Sequence, residues 1–291
     1  MTKLFTETPR QHTKVVADAA LAAPAWARAW ASGDATLVTV TIPGARALDG
    51  EAFYEKTIDA YRQIRDAVRA TPHAHVVRMW NNLPGIHDRL ENQCDRYMFF
   101  NAGRFAAVCD WFGGAEQIPR CVPAASGVGH NGDDLVIHAL ALAQPGAAVE
   151  NPQQVPAFRY SRRYGPMPPC FARATRVAAH PRPILLIAGT AAITGEESRH
   201  IDDLDAQLTL TLENLRILVR EGGWRENSSC KDPLDRIEQV RVYVARGGDS
   251  HTVIASCREV FHPDANFEFI RADLCRADLL VEIEGIARLD P

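Results

Sequence analysis

The last strand-like segment of the chain carries two acids in a place where a strand tolerates few. It reads Leu279-Leu280-Val281-Glu282-Ile283-Glu284-Gly285-Ile286. Alternate residues of a strand share a face, so Glu282 and Glu284 point one way while Val281 and Ile283 point the other. A chain with this ending needs a layer on each side of that strand: an apolar one for the valine and isoleucine, and one that accepts carboxyls. A carboxyl placed in a largely apolar strand ionises at higher pH, which suits a general acid near neutrality. Cys275 lies seven residues before Glu282 and Arg271 eleven, so thiol, guanidinium and carboxyl can converge. The same alternation also fits a half-buried strand whose acidic face is simply wet.

Length and composition narrow the function classes. The 291 residues suffice for two ordinary domains, and 46% hydrophobic with 23% charged residues is a globular mixture. A net charge of -4 argues against a broad basic surface, so no nucleic-acid partner is expected. No segment approaches the ~20 apolar residues of a membrane helix, and the first residues show no apolar signal-peptide core. No membrane partner is expected. The seven cysteines lack CxxC spacing, which favours reduced thiols and a cytoplasmic setting. The ten histidines include no HExxH, so a catalytic metal is not indicated.

Periodicity divides the chain into two α+β layers. Residues 1–35 read as an irregular arm with a short helical piece. Residues 36–42 are a β-branched strand, residues 49–69 a helix with Phe53, Ile58, Tyr61, Ile64 and Val68 at helical steps, and residues 75–80 a strand. Residues 81–85 read as a turn. Residues 86–112 contain a helix bearing Tyr97 and Arg104, which share a face seven residues apart. Strands follow at 122–128 and 135–142. Residues 144–158 are polar and proline-bearing, either a linker or an edge segment. Beyond them come a strand at 184–188, a turn at 189–195, and a helix at 202–221 with a leucine stripe and a glycine stop. A strand at 237–245, a helix at 250–261 and the terminal strand complete the series. The expected organisation is a domain over residues 1–150 and a second over residues 151–291, packed together so that each mixed sheet is covered by helices.

The second half resembles the Rid/YjgF-like proteins, whose fold is chorismate-mutase-like. The matching pieces come in order: Gly165-Pro166 with Phe171-Ala172-Arg173-Ala174, Leu185 to Thr190, Thr209 to Leu215, Gln239 to Val244, and Leu280 to Ala287. One departure stands out. The family's carboxylate-gripping arginine would fall near Phe267, and the nearest arginine is Arg271. The whole chain from about residue 36 resembles the chorismatases, a double-length relative of that fold. The residues that carry this are Arg96 to Arg104, Ala125 to His130, Val155 to Pro166, Gly189 to Glu196, and Cys275 to Glu282.

The resemblance implies a cofactor-free enzyme that takes the small molecule chorismate to a hydroxybenzoate and pyruvate. Removing the enolpyruvyl side chain needs a proton on the enol-ether methylene, and Glu282 matches the family's catalytic glutamate. Cys275, the second expected catalytic residue, and Gly189, expected beside the substrate, together point to the subtype that makes 3-hydroxybenzoate, with 4-hydroxybenzoate as a side product. Arginine meets a carboxylate through two parallel hydrogen bonds. Arg163 with Tyr164 is the expected clamp, with Arg159, Tyr97, Arg104 and Arg271 as further substrate-binding candidates. Each has a plainer reading: Cys275 as a core thiol, and the arginines as an ordinary basic loop. Gly127 and Gly129 offer a backbone approach to an anion or, equally, a tight turn. The alternatives in activity are a chorismate hydrolase giving a dihydroxycyclohexadiene carboxylate, a Rid-type imine or enamine deaminase, and a non-catalytic acid sensor. Related single-domain proteins trimerise, so a monomer or a homotrimer is expected.

Overall fold

The protein is described by a computed structural model over residues 15–16, 21–31, 35–91, 93–178, 182–226 and 230–289. Along these residues the chain forms β1 (Val15–Val16), α1 (Ala25–Trp30), β2 (Thr36–Ile42), α2 (Gly50–Arg69), β3 (His75–Pro84) and α3 (Arg96–Phe112). It continues with α4 (Ile118–Cys121), β4 (Ala124–His130), β5 (Leu135–Leu142), β6 (Ala147–Val149), β7 (Ala174–Val177) and β8 (Ile184–Thr190). A two-residue hairpin, β9 (Ile193–Thr194) and β10 (Glu197–Ser198), precedes α5 (Leu204–Glu221), β11 (Ile237–Val244), α6 (Ser250–Val260), β12 (Asn266–Arg271) and β13 (Val281–Arg288).

Two mixed sheets result, as the α+β reading requires. The smaller has the order β2-β5-β3-β4, and the larger β1-β12-β11-β13-β8-β7-β6. Each sheet is covered by helices on its outer face. Phe53, Tyr61, Ile64 and Val68 of α2 and Phe100 of α3 pack on Val40, Met79 and Ile137. Leu208, Leu212 and Leu215 of α5 with Val253 and Cys257 of α6 pack on Leu185, Ile187, Val242 and Ile283. The inner faces meet through Val77, Trp80, Leu140, Leu186 and Ile286, with Ala27 and Trp30 of α1 closing one end. Every strand of the interior therefore needs partners on both faces, which is why apolar runs alternate with polar residues so little here. Both long outer helices start where their caps predict. Asp49 accepts from the Ala52 amide at 2.8 Å, and Asp203 accepts from the Ala206 amide at 3.0 Å.

The expected elements recur, with corrections. Residues 81–84 do not turn: β3 runs on to Pro84, parallel to β4, and the turn begins only at Gly85. Asn81 is tolerated in the strand because it accepts from the Tyr61 hydroxyl at 2.9 Å and donates to the Ser126 carbonyl at 2.8 Å. Likewise β8 continues through Gly189 to Thr190. Strands β7 and β12 have no counterpart in the periodicity reading, because runs of four and six residues held by long-range pairing leave little local pattern. The segment 144–158, left open between linker and edge, contains edge strand β6 paired antiparallel with β7. The chain's early strand β1 also joins the larger sheet, parallel to β12.

Candidate active site

A cavity of about 540 Å³ opens between the two halves, within the roughly 300–1,000 Å³ of small-molecule sites. Its floor is β13. Val281 and Ile283 face the helical layer, as the alternation demands, and Glu282 and Glu284 face the other sheet. The wet-face reading is overturned: Glu282 is 3% exposed and Glu284 2%. Pairing between β13 and β8 shifts register between Ile283 and Gly285, so Ala188 and Gly189 together stand opposite Glu284. This bulge brings Gly189 against Glu282, where a β-carbon on residue 189 would collide with the carboxyl.

The two acids have opposite surroundings. Glu284 is enclosed by donors from the smaller sheet: Arg78 Nη2 at 2.7 Å, Trp80 Nε1 at 2.8 Å, and the Ser126 hydroxyl. Arg78 is itself 1% exposed and lies over the Trp80 ring, 4.8 Å from its centroid. Glu282 lines the cavity. Burial, and then the neighbouring Glu284 carboxylate, push its acid up to about 8, against the weaker pull of Arg78 and Arg173. One carboxyl is enclosed by hydrogen-bond donors, and the other faces the cavity.

The loop between β12 and β13 carries Cys275 and Arg276 into the cavity wall. It is clamped from three sides. Gly129 donates to the Asp273 carbonyl at 2.6 Å, and the His87 ring Nε2 meets the Leu274 carbonyl at 2.8 Å. Gln207 donates to the Asp278 carbonyl at 2.8 Å while its own oxygen accepts the Leu280 amide at 2.8 Å. Burial and the Glu282 carboxyl push the Cys275 thiol up to about 12, so the sulfur stays a neutral thiol at physiological pH.

Cations and aromatic rings form the opposite wall. Arg173 donates to the Tyr160 hydroxyl at 2.6 Å and to the Val155 carbonyl at 3.2 Å, with its guanidinium 5.2 Å from the Phe171 ring centre. Arg276 stacks 3.9 Å from the Tyr164 centroid and donates to the Glu196 carbonyl at 2.8 Å. Arg163 lies at the mouth, 67% exposed at the side chain, paired with Glu197 at 3.1 Å. Tyr97 reaches the wall because Gly127 has no side chain, its ring carbon lying 3.3 Å from where a β-carbon would stand. Gly127 and Gly129 are strand residues of β4 and form neither an anion loop nor a tight turn.

A family model described as "Chorismatase FkbO/Hyg5-like, N-terminal" matches residues 18–141. A "3-hydroxybenzoate synthase" from Streptomyces hygroscopicus is 34% identical over 262 residues, covering 82% of this chain and 74% of that protein. The chain belongs to the chorismatase family. A "Chorismatase" from Streptomyces rapamycinicus is 33% identical, covering 83% of this chain and 72% of its own length. A chorismatase crystal structure superposes with a TM-score of 0.75 at 29% identity, over 87% of this chain and 75% of that one. The family's fold thus covers most of the chain.

Of the residues singled out in the sequence of this chorismatase-family chain, Glu282, Cys275, Gly189, Arg163, Tyr164 and Tyr97 share the cavity wall. Three do not. Arg104 lies buried behind it, over Phe100 and Phe171, donating to Asn101 at 2.8 Å. Arg159 borders a separate shallow depression with Phe105 and Pro168. Arg271 is paired with Asp273 at 2.9 Å. The arginines that sequence reasoning passed over are Arg173 and Arg276. Both were visible, Arg173 inside the Phe171-to-Ala174 motif and Arg276 beside Cys275, but spacing alone does not say which arginines a fold turns inward. Among the described residues no cluster of three or more His, Cys, Asp or Glu could hold a metal ion, and no helix is long and apolar enough to cross a membrane.

Proposed function

We propose that this enzyme converts chorismate to 3-hydroxybenzoate and pyruvate, with Glu282 as the general acid. The observation that carries the reading is a buried carboxyl with its acid pushed up to about 8, in a cavity walled by Arg163, Arg173 and Arg276. Chorismate is a dianion with an enol ether, so it needs guanidinium partners for two carboxylates and a proton for one carbon. Arg173 and Arg276 supply the inner clamps, and Arg163 meets the substrate at the mouth. The support for Arg173 and Arg276 is their fixed backbone or side-chain partners, which hold each guanidinium in place before substrate arrives.

Glu282 donates its proton to the enol-ether methylene, leaving an oxocarbenium carbon. The neighbouring ring hydroxyl attacks the ring carbon that bears the ether, and the carbon–oxygen bond breaks to release pyruvate as the keto acid. The hydroxyl proton returns to Glu282, restoring the acid. The resulting arene-oxide-like ring opens and loses a ring proton as its oxygen gains one, giving the phenol. Substrate atoms equal product atoms, and no water is consumed. Cys275, neutral and packed beside Glu282, keeps water from the ring and takes no part as a nucleophile. The absence of a side chain at Gly189 leaves Glu282 and the ring the space between them. A minor flow to 4-hydroxybenzoate is part of the same reading, as is action in the cytoplasm by a monomer or homotrimer.

The test is to incubate the purified protein with chorismate, assay pyruvate and chromatograph the ring product. Pyruvate with 3-hydroxybenzoate is the expected result. Pyruvate with a dihydroxycyclohexadiene carboxylate would make the enzyme a hydrolase. An inert chorismate, with ammonia released from 2-aminoacrylate, would make it a deaminase.

A further inference from the structure

The buried group on the Glu282 face that the reaction does not touch is Glu284, and its partners define its charge. Ser126 Oγ accepts from the Gly189 amide at 2.8 Å and from Arg78 Nη2 at 2.5 Å. Its single hydrogen is therefore left to point at Glu284 Oε2. Trp80 Nε1 and Arg78 can only donate. Both oxygens of Glu284 thus receive hydrogens and neither has an acceptor for a proton of its own, which is the environment of a carboxylate. Glu282 stands two residues away on the same strand face, and among the described residues no side chain donates a hydrogen bond to it. The same Ser126 fixes Gly189, the residue packed against Glu282.

We propose that Glu284, held by Arg78, Ser126 and Trp80 of the opposite sheet, is a positioning residue whose fixed negative charge keeps the neighbouring Glu282 carboxyl protonated and ready to donate at neutral pH. Two like charges this close in a poorly hydrated interior cannot both be kept, and the better-solvated one holds its charge. The other groups around Glu282 do not substitute for it. Arg78 and Arg173 act in the opposite direction, Cys275 and Tyr97 are neutral, and Tyr243, paired across from Glu282 on β11, is buried and neutral as well. The tighter hold of Glu282 on its proton is then a property of both sheets together. This inference deepens the proposed function and rests on Glu282 being its acid.

Difference infrared spectroscopy on the full-length protein tests it without turnover. The carboxylic C=O band that disappears in Glu282→Gln assigns the group. In wild type the band should be present at pH 7. In Glu284→Gln it should titrate with a midpoint lower by about one unit or more, and the alkaline limb of kcat/KM should move with it. Ser126→Ala, which leaves the charge in place, should keep the midpoint within a few tenths of a unit while lowering kcat. If Glu284→Gln fails to fold, Arg78→Met/Glu284→Gln removes both buried charges and should still shift the midpoint downward. A wild-type Glu282 already ionised at pH 7, or a folded Glu284 variant with an unmoved midpoint, overturns the proposal. Loss of the chorismate reaction with the infrared shift intact would instead reject the function and leave the pairing standing.

Discussion

At the scale of single residues, the chemistry is decided by which polar groups have partners. Glu282 is buried beside a charged neighbour, so the folded protein holds its proton to about pH 8, whereas the unfolded chain releases it near the usual carboxylate value. Its folded pKa is raised, so the cost to stability is absent below the unfolded pKa, grows as pH rises, and levels off above about 8. Glu282→Gln removes that cost. The variant should lose pyruvate release by roughly 10²-fold or more, yet unfold at higher temperature than wild type at pH 9, by roughly 3–5 kcal/mol of added stability at most. Thermal scans at pH 5 and pH 9 check this: the gap should be small at the lower pH. The proposed role of Glu282 as proton donor predicts that kcat/KM of the wild type falls above about pH 8 as Glu282 ionises. Gly189 is a second such residue. A methyl group there meets the Glu282 carboxyl, so Gly189→Ala should push the acid from its place and lower kcat by about tenfold or more. Its ring products, resolved by chromatography, should contain less 3-hydroxybenzoate than wild type.

At the scale of elements, the site depends on how loops are held. The β12–β13 loop carries Cys275 and Arg276 but makes no regular structure of its own. Gln207, buried on α5, satisfies the Asp278 carbonyl and the Leu280 amide with one side chain. Gln207→Ala leaves those groups unpaired and should cost about 2 kcal/mol in urea unfolding. Because the loop also places Arg276, KM for chorismate should rise more than kcat falls. The strands show why some elements were readable and others were not. β2 and α2 are long, and each keeps one period throughout, so residues 36–42 and 49–69 read correctly from sequence alone. β3 continues through Asn-Asn-Leu-Pro, a turn-like string, because Tyr61 and the Ser126 carbonyl supply the hydrogen bonds a buried Asn81 needs. Local propensity lost there to partners 20 and 45 residues away.

At the scale of the whole molecule, the cavity exists only because two sheets meet. Arg78, Trp80 and Ser126 come from one sheet, and Glu282, Glu284 and Gly189 from the other. Trp80 serves both ends, packing in the inner apolar layer and donating to Glu284. Trp80→Ala should therefore destabilise the protein by about 3–5 kcal/mol and also shift the alkaline limb of the pH profile. A single cooperative unfolding transition, followed by both fluorescence and circular dichroism, is expected for wild type, since neither inner face is covered without the other.

The amino-acid sequence by itself determined the long helices and most of the longer strands, the placing of both terminal acids on one strand face, and the resemblance to the chorismatases. Those follow from periods of two and 3.6 residues and from short motifs, which neighbouring residues encode. Only the tertiary structure decided that Glu284 is enclosed by donors while Glu282 faces an open cavity, and that Arg173 and Arg276 line the wall while Arg104, Arg159 and Arg271 do not. The physical reason is that ionisation depends on burial and on charges brought within a few ångströms, and here those charges lie up to 206 positions apart along the chain.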